Sequence, residues 1–194
     1  YYFNGTSDYI SLTSHNDKLL YDWYQCTLSC WVKAKAQDTS NWTKGTGEHA
    51  PNGLCDFIGG HYSNASISVS NDNRIYIYVK GYHVNTNPWK LPIDEWVHIA
   101  MTYDGSHMNL YINGVLYGPQ HGAAEGAGNR SVGSLPIGLT SGYQRERSIG
   151  GTAKDPNGKR FFKGTLDEIR MYDRALTQAE ITSVYNYDGA LQHV

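Results

Sequence analysis

Hydrophobic and polar residues alternate with a period of two along most of this chain. The alternation is clearest in three runs, CTLSCWVK (26–33), NRIYIYVKG (73–81) and EWVHIAMTY (95–103). In the second run Ile75, Ile77 and Val79 fall on one face, and Tyr76 and Tyr78 fall on the other. Because successive side chains of a β-strand point to opposite faces, this pattern predicts strands that each place one face in a core.

Two dipeptides between such runs predict tight turns. Asp104-Gly105 precedes the run HMNLYI, and Asn113-Gly114 separates that run from VLYG. Both dipeptides suit the positive φ angles that two-residue hairpins require. Residues 96–117 are therefore predicted to form a three-stranded antiparallel meander.

A helix is predicted near the end of the sequence. Thr177 is followed three residues later by Glu180, which is the spacing of a capping box. Ala179, Ile181 and Val184 then recur at near-helical spacing, over about two to three turns. One helix among about a dozen strand-like runs predicts an all-β sandwich with a helical appendage.

Composition and charge narrow the class of protein further. The 194 residues include 16 Lys and Arg, 18 Asp and Glu, 16 Tyr and 5 Trp. This length favours a single domain over residues 1–194, and the many aromatic residues favour strands. The near-balanced charge argues against a nucleic-acid partner, which needs a basic excess. The longest apolar runs are only as long as strands, so no membrane insertion is expected.

Two interpretations of the three cysteines remain open, a disulfide or free thiols. Cys26 and Cys30 lie in one strand-like run, where their Cα atoms would be about 13 Å apart at roughly 3.3 Å per residue, too far for a disulfide. One of them could pair with Cys55 if their strands are neighbours. Otherwise all three are buried free thiols that pack as small hydrophobic side chains.

An ordered set of segments resembles a known family. The segments YYFNGTSDYISL, CTLSCWVK, EWVHIAMTYDGSHMNLYINGVL, LPIGL and FKGTLDEIRMYDRALTQAEI follow the order found in laminin-G-like domains of the concanavalin A-like lectin/glucanase superfamily. The resemblance covers nearly the whole chain except the loops. It implies a jelly-roll sandwich of two antiparallel sheets. In relatives the concave face, or the loops at its rim, often binds glycans.

The adjacent carboxylates Asp167 and Glu168 raise the question of catalysis. A retaining glycosidase needs two carboxyl groups about 5–5.5 Å apart in one cleft. Glucanases of the resembled superfamily usually set them at alternating positions of one strand, whereas adjacent residues of a strand point to opposite faces. The pair therefore argues against a hydrolase. A lyase site of His, Tyr and Arg on the concave sheet would leave no local motif and stays open.

The resemblance also implies a structural calcium ion. In the superfamily an Asp of a C-terminal strand often helps to hold Ca²⁺ where that strand meets the N-terminal one. Here Asp167 would open such a strand, and Asp8 and Asn4 would supply the oxygen ligands that Ca²⁺ prefers. The alternative is that Asp8 and Asp167 accept turn hydrogen bonds from backbone amides. Glu168 is expected to face the other side of the strand and to pair with Arg170 or a neighbouring basic group.

Aromatic and planar polar side chains on outward faces and loops are the candidates for ligand binding, because rings cover the apolar faces of sugars and planar groups match hydroxyl pairs. Trp42 and Tyr143 each lie in a long polar loop, and Arg145 follows Tyr143 closely. Tyr76 and Tyr78 share the outward face of a predicted strand. The competing interpretation is that these tyrosines pack on neighbouring strands.

Three hypotheses of function follow. The first is a non-catalytic extracellular binding module for a glycan or glycoprotein. The second is a structural or adhesion domain that contacts other protein subunits of a cell-surface or virion assembly. The third is a polysaccharide hydrolase or lyase.

Overall fold

The computed structural model describes residues 1–12, 23–37, 54–58, 65–70, 72–79, 82–132, 148–152 and 160–192. They form an all-β sandwich of jelly-roll type with a helix at the C-terminal end, as the sequence predicted. The strands of the first sheet, which has seven, are arranged in the order β1 (Tyr2–Asn4), β15 (Lys163–Tyr172), β3 (Cys26–Ala34), β8 (Trp96–Tyr103), β9 (His107–Ile112) and β10 (Val115–Leu116), with β11 (Asn129–Ser131) also paired to β9.

The second sheet has six strands. Their order is β2 (Ile10–Ser11), β12 (Ser148–Ile149), β4 (Leu54–Ile58), β5 (Ala65–Ser70), β6 (Ile75–Val79) and β7 (Tyr82–Asn85). A two-stranded ladder joins β13 (Gly151–Thr152) to β14 (Arg160–Phe161), and a short 3₁₀ turn spans Pro119–His121. Neighbouring strands within the sheets are antiparallel, as expected of a jelly roll.

The core lies between the two sheets and is built from alternate residues of the strands. Leu28, Val32 and Ile99 of the first sheet and Ile75 and Ile77 of the second are fully buried in it. These are the positions that the period-two pattern assigned to the inner faces. Burial of such side chains is the main favourable term in the stability of a sandwich.

The meander predicted over 96–117 is confirmed by β8, β9 and β10. At its second turn Asn113 and Gly114 both have positive φ angles, 47° and 76°. The first turn differs from the two-residue prediction because three residues, 104–106, connect β8 to β9. There the Asp104 carboxylate accepts hydrogen bonds from the backbone N–H groups of Ser106 and His107, at 2.8 and 2.7 Å.

The helix α1 (Gln178–Gln192) begins at the predicted capping box. The Thr177 N–H donates to the Glu180 carboxylate at 2.8 Å, and the Glu180 N–H donates to the Thr177 hydroxyl at 3.3 Å. At 15 residues α1 is longer than the two to three turns predicted. Contacts with the sheet continue into its later turns, where Tyr187 lies 6.0 Å from the Arg170 guanidinium. Among the described residues, no helix is long and apolar enough to cross a membrane.

Helix α1 covers the outer face of the seven-stranded sheet. The Thr27 hydroxyl of β3 donates to the Arg174 carbonyl and accepts the Leu176 N–H, which fixes the chain just before the helix. Ile181 is fully buried against the sheet. The Tyr185 ring stacks on Trp31 with centroids 5.5 Å apart. Both faces of β3 are therefore buried, although its sequence alternates.

Cys26 and Cys30 are free thiols in the core, and burial raises the pKa of each to about 12. Of the two interpretations of the cysteines, the structure thus supports buried free thiols for this pair. The side chain of Cys55 lies outside the described residues. Two thiols held this strongly in their neutral form serve as small hydrophobic side chains.

The strand that carries Asp167 departs from the prediction in two ways. Asp167 does not open the strand, since β15 begins four residues earlier, at Lys163. The pairing of β15 with β3 also shifts register between Asp167 and Arg170, and Glu168 has a φ of 46°. Such an irregularity is a β-bulge, which changes the direction of side chains locally and was not predicted. The predicted pair of Glu168 with Arg170 is present at 2.9 Å.

Candidate functional site

The outer face of the six-stranded sheet carries a cluster of aromatic side chains. Because Ile75, Ile77 and Val79 of β6 point into the core, Tyr76 and Tyr78 point away from it. Tyr78 is paired with His83 of β7 on one side and with Ser66 of β5 on the other. The register of three strands thus places His83 and small serines beside the two tyrosines.

We call the three rings of Tyr76, Tyr78 and His83 the tyrosine face. The two tyrosine rings are nearly parallel, with an interplanar angle of 15° and centroids 6.2 Å apart. The His83 ring lies 5.9 Å from Tyr76 and 5.6 Å from Tyr78. Tyr76 is only 7% exposed, whereas Tyr78 and His83 are half-buried. Tyr76 therefore supports the cluster, and the other two rings present accessible surface.

An ion pair lies at one end of the tyrosine face. The Arg74 guanidinium is 2.6 Å from the Asp72 carboxylate, which also accepts the Ser70 hydroxyl. Burial, and secondarily the negative charge of Asp72, raise the pKa of Tyr76, while Arg74 opposes this rise. Tyr76 consequently stays a neutral phenol at ordinary pH, and this end of the face carries no uncompensated charge from the pair.

A second arginine lies at the edge of β7, on the side of the six-stranded sheet that faces the core. Its cross-strand partner Met108 is a core residue, and Tyr82, which it contacts, pairs with the inward Val79. Arg130 of β11 donates from Nη1 to the carbonyl oxygen of His83 at 2.7 Å. Its guanidinium carbon is 5.4 Å from the centroid of the Tyr82 ring. Arg130 thus joins the edge of the seven-stranded sheet to the edge of the six-stranded sheet, next to His83.

The structure brings together only part of the predicted ligand-binding set. Tyr76 and Tyr78 lie side by side, as their spacing predicted, and they also pack on neighbouring strand residues. Trp42, Tyr143 and Arg145 lie outside the described residues. Sequence reasoning missed His83, although the run YHVN (82–85) shows the alternation of a strand. The contribution of His83 depends on the pairing of β7 with β6, which no local pattern specifies.

Asn4 and Asp8, two of the three residues predicted to hold calcium, contact each other directly. Asn4 donates to the Asp8 carboxylate from its backbone N–H and from Nδ2, both at 3.0 Å. Asn4 Oδ1 accepts the backbone N–H groups of residues 6–8, at 2.8, 2.9 and 3.2 Å. Oxygens surrounded in this way by N–H donors form a turn and do not fit a cation in this arrangement.

Asp167, the third predicted ligand, lies elsewhere on the first sheet. Asn4 pairs with Lys163, four residues before Asp167, which corresponds to about 13 Å at a rise of roughly 3.3 Å per residue. Asp167 Oδ1 accepts the Glu168 N–H at 2.9 Å. Within the described residues no group of three or more His, Cys, Asp or Glu side chains is placed to hold a metal ion. Calcium binding by this protein stays a prediction.

Comparison with protein families gives a match over most of the chain. The family model Laminin_G_3, described as concanavalin A-like lectin/glucanases superfamily, matches residues 4–182. Pappalysin-1 of Homo sapiens is 31% identical over 107 residues, which are 55% of this chain and 6% of that protein. The chain thus spans a small part of this curated relative.

Two solved structures share the fold. A candidate carbohydrate binding protein from Bacteroides ovatus superposes with a TM-score of 0.63 at 15% identity, over 90% of this chain and 43% of that chain. Domain 4 of AbnA, a GH43 extracellular arabinanase of Geobacillus stearothermophilus in complex with arabinotriose, gives a TM-score of 0.59 at 24% identity, over 95% and 75% of the two chains. At these identities the likeness establishes the architecture.

Proposed function

We propose that this chain, which belongs to the concanavalin A-like lectin/glucanases superfamily, is a non-catalytic carbohydrate-binding module. The observation that carries the proposal is the tyrosine face, where Tyr78 and His83 present half-buried rings over the support of Tyr76. A pyranose or furanose ring has an apolar face of C–H groups, which packs on an aromatic ring and leaves its hydroxyls for polar neighbours.

The arrangement of polar groups supports the same function. Asn85 of β7 pairs with Tyr76 and is half-buried, so an amide group lies beside the rings, whereas Ser66 and Ser68 of β5 are only 2% and 1% exposed. The Asn85 amide can exchange hydrogen bonds with the hydroxyls of a sugar that packs on the rings.

The positions of the carboxylates support a role in binding without catalysis. Asp167 and Glu168 belong to the seven-stranded sheet, on the other side of the core from the tyrosine face. Sheets of a sandwich lie about 10 Å apart, so these groups cannot act together on a sugar bound to Tyr78. Asp72, which is near the face, is held by Arg74 and Ser70.

We place the module outside the cell, with a glycan or the glycan of a glycoprotein as its partner. One structure of the same fold is a domain of an extracellular arabinanase solved with arabinotriose. The small fraction of pappalysin-1 that matches indicates that domains of this kind also occur within much longer proteins.

A glycan array followed by calorimetry on the best ligand tests the proposal. Tyr78→Ala is expected to weaken binding about tenfold or more, because an aromatic stacking contact and its buried area are lost. Tyr24→Ala is the matched control, since Tyr24 is an exposed tyrosine two residues before β3. Thermal melting of both variants checks that the fold is intact.

Two results would overturn the proposal. One is the absence of binding to any glycan by the unaltered protein, and the other is equal affinity of Tyr78→Ala and the unaltered protein for the ligand found. Trp42→Ala and Tyr143→Ala test the loop residues separately. Release of reducing ends from a polysaccharide, abolished by His83→Ala, would show that the domain is an enzyme.

A further inference from the structure

Helix α1 is held to the seven-stranded sheet in two different ways along its length. Its first turns are anchored by Ile181, which is fully buried in a cluster with Leu176. Of the next side chains, residues 182–187, none is fully buried, since Val184 and Tyr185 are half-buried and the others are exposed. The later part of the helix therefore rests on few apolar contacts, which is typical of a segment that opens locally.

Tyr185 joins this later part of the helix to the sheet. Its ring is centred 5.5 Å from the Trp31 ring and 5.9 Å from the His98 ring. A Cβ atom at Gly114, in the turn between β9 and β10, would lie 3.0 Å from the Tyr185 Cβ, so a glycine there lets the helix approach closely. In this arrangement Tyr185 covers the imidazole of His98, which is 0% exposed.

The covered imidazole is a polar group without a partner. Neither ring nitrogen of His98 has a hydrogen-bond partner among the described residues. A buried ring of this kind is tolerated in its neutral form, whereas an unpaired buried charge is far more costly. Burial, and secondarily the positive charge of Arg170, lower the pKa of His98 from 6.5 to about 4 while the helix is in place.

The charged groups around His98 do not compensate a proton on its ring. Arg170 of β15 adds a positive charge that opposes protonation, and the Glu168 carboxylate is bound to Arg170 at 2.9 Å. Asp167 is separated from His98 by β3, because Asp167 pairs with Trp31 and Trp31 pairs with His98. A proton on the covered ring would thus lie unpaired near a second positive charge. The other described neighbours are Lys33 and Trp96 on the adjoining outward positions of β3 and β8, Asn113 in the turn after β9, and Tyr185 and Tyr187 of the helix.

We propose that acidification releases the part of helix α1 beyond Ile181 from the sheet, with His98 as the residue that responds to pH. This inference does not depend on the glycan-binding proposal. A proton binds more strongly to the hydrated ring of the released state, so release becomes easier as the pH falls below 6.5 and reaches its limit near pH 4. From these values the opening equilibrium should shift about twentyfold between pH 7 and pH 5. Release uncovers the rings of Trp31 and His98 while β3 and β8 stay paired.

Hydrogen exchange followed by mass spectrometry at pH 7 and pH 5 tests the inference, with rates corrected for the intrinsic effect of pH on amide exchange. Amides of α1 beyond Ile181 should lose protection about twentyfold at pH 5. Local release also requires that these amides exchange faster than those of β3 and β8 at both pH values. Equal protection of helix and strands would show that the helix leaves only when the sandwich unfolds, and it would overturn the inference.

Variants of His98 separate its titration from other effects of pH. His98→Gln removes the titrating group and keeps a polar side chain, so the helix amides should be protected about equally at the two pH values. His98→Phe repeats the test with an apolar ring that keeps the cluster filled, in case the Gln variant does not fold. His107→Gln is the matched control, because His107 lies outside the cluster and bonds to Ser106, and it should keep the full shift.

A variant on the helix tests the cover itself. Tyr185→Ala should lower the protection of the later helix already at pH 7 and reduce its dependence on pH, because His98 is then hydrated in both states. Two results would refute the inference besides equal protection of helix and strands. One is unchanged protection of the helix between pH 7 and pH 5 in the unaltered protein. The other is a full shift in both His98→Gln and His98→Phe, which would assign the response to a different group.

Discussion

Each outer face of the sandwich carries a histidine that packs against two aromatic rings, and the two clusters differ in what surrounds them. On the seven-stranded sheet His98 lies 5.5 Å from Trp31 and 5.9 Å from Tyr185 of helix α1. On the six-stranded sheet His83 lies at similar distances, 5.9 and 5.6 Å, from Tyr76 and Tyr78. His98 is 0% exposed beneath α1, whereas His83 is half-buried.

The comparison shows that composition and ring geometry do not by themselves make a binding surface. The cluster of His98, Trp31 and Tyr185 is closed by the helix, and it contributes to stability. Burial, and secondarily the positive charge of Arg170, lower the pKa of His98 to about 4, so the ring is neutral at ordinary pH. Both of its nitrogens lack a hydrogen-bond partner among the described residues. The tyrosine face has a similar set of rings, of which Tyr76 is buried and Tyr78 and His83 are half-buried.

The largest expected effect comes from loosening the helix on the covered face. Ile181→Ala removes a fully buried side chain at the contact between α1 and the sheet. We expect a loss of about 3 to 4 kcal/mol in the free energy of unfolding, measured by urea denaturation, because a cavity replaces the contact. Glycan affinity of the folded fraction should not change. Ser183→Ala, at an exposed position of the same helix, is the control and should have little effect.

The second prediction concerns the pH dependence of stability that the buried His98 causes. The pKa of His98 is near 4 in the folded protein and 6.5 in the unfolded chain, so the unfolded state binds more protons between these values. Stability should be fully present above pH 6.5 and fall by about 3 kcal/mol as the pH drops to about 4. Chemical denaturation across this range measures the loss. His98→Gln should flatten the slope and His107→Gln should keep it. An unchanged slope in His98→Gln would contradict the assignment.

The third prediction compares one substitution on each outer face by its effect on stability and on glycan affinity. Tyr185→Ala removes a ring that stacks on Trp31, and we expect it to cost about 2 kcal/mol of stability and leave glycan affinity unaltered. Tyr78→Ala is expected to weaken the affinity about tenfold at a smaller cost in stability. Denaturation and calorimetry on both variants measure the two quantities. If Tyr185→Ala also reduced the affinity, the covered face would be coupled to binding and the contrast between the faces would fail.

The capping box gives a smaller effect on the covered face. Thr177→Ala removes the hydroxyl that accepts the Glu180 N–H and donates to its carboxylate. Such a cap contributes about 1 kcal/mol to helix stability, so the melting midpoint should fall by a few degrees. Thr177→Ser retains the hydroxyl and should melt close to the unaltered protein. Equal melting of the Ala variant would mean that the start of α1 is held by Thr27 alone.

The smallest effect is expected from calcium. Since Asn4 and Asp8 direct their oxygens at N–H donors and Asp167 lies away from them, a chelator should leave the melting midpoint unchanged. Differential scanning calorimetry with and without added Ca²⁺ measures this. A midpoint that rises with calcium concentration and no longer does so in Asp8→Ala would establish the ion at this corner.

Much of the fold could be predicted because its signals are local. Ile75, Ile77 and Val79 alternate with Tyr76 and Tyr78, and a strand of period two can place only one of these sets in the core. Asn113-Gly114 and the Thr177/Glu180 pair likewise encode a turn and a helix start within a few residues. The bulge at Glu168 was not predicted, although the spacing of three between Leu166 and Ile169, which both pack in the core, interrupts the period of two.

By itself the sequence determined which side chains point inwards, where the hairpins turn and where the helix begins, since these depend on neighbours a few residues apart. Only the tertiary structure decided how far each outward side chain is buried, since His98 is 0% exposed beneath α1, whereas Tyr78 and His83 are half-buried. Thr27 contacts the chain at Arg174 and Leu176, and Arg130 contacts His83, across separations that no periodicity spans. The alternation of a strand predicts which of its residues point outwards. Whether those residues contact solvent, a helix or a ligand depends on elements that are far away in the sequence.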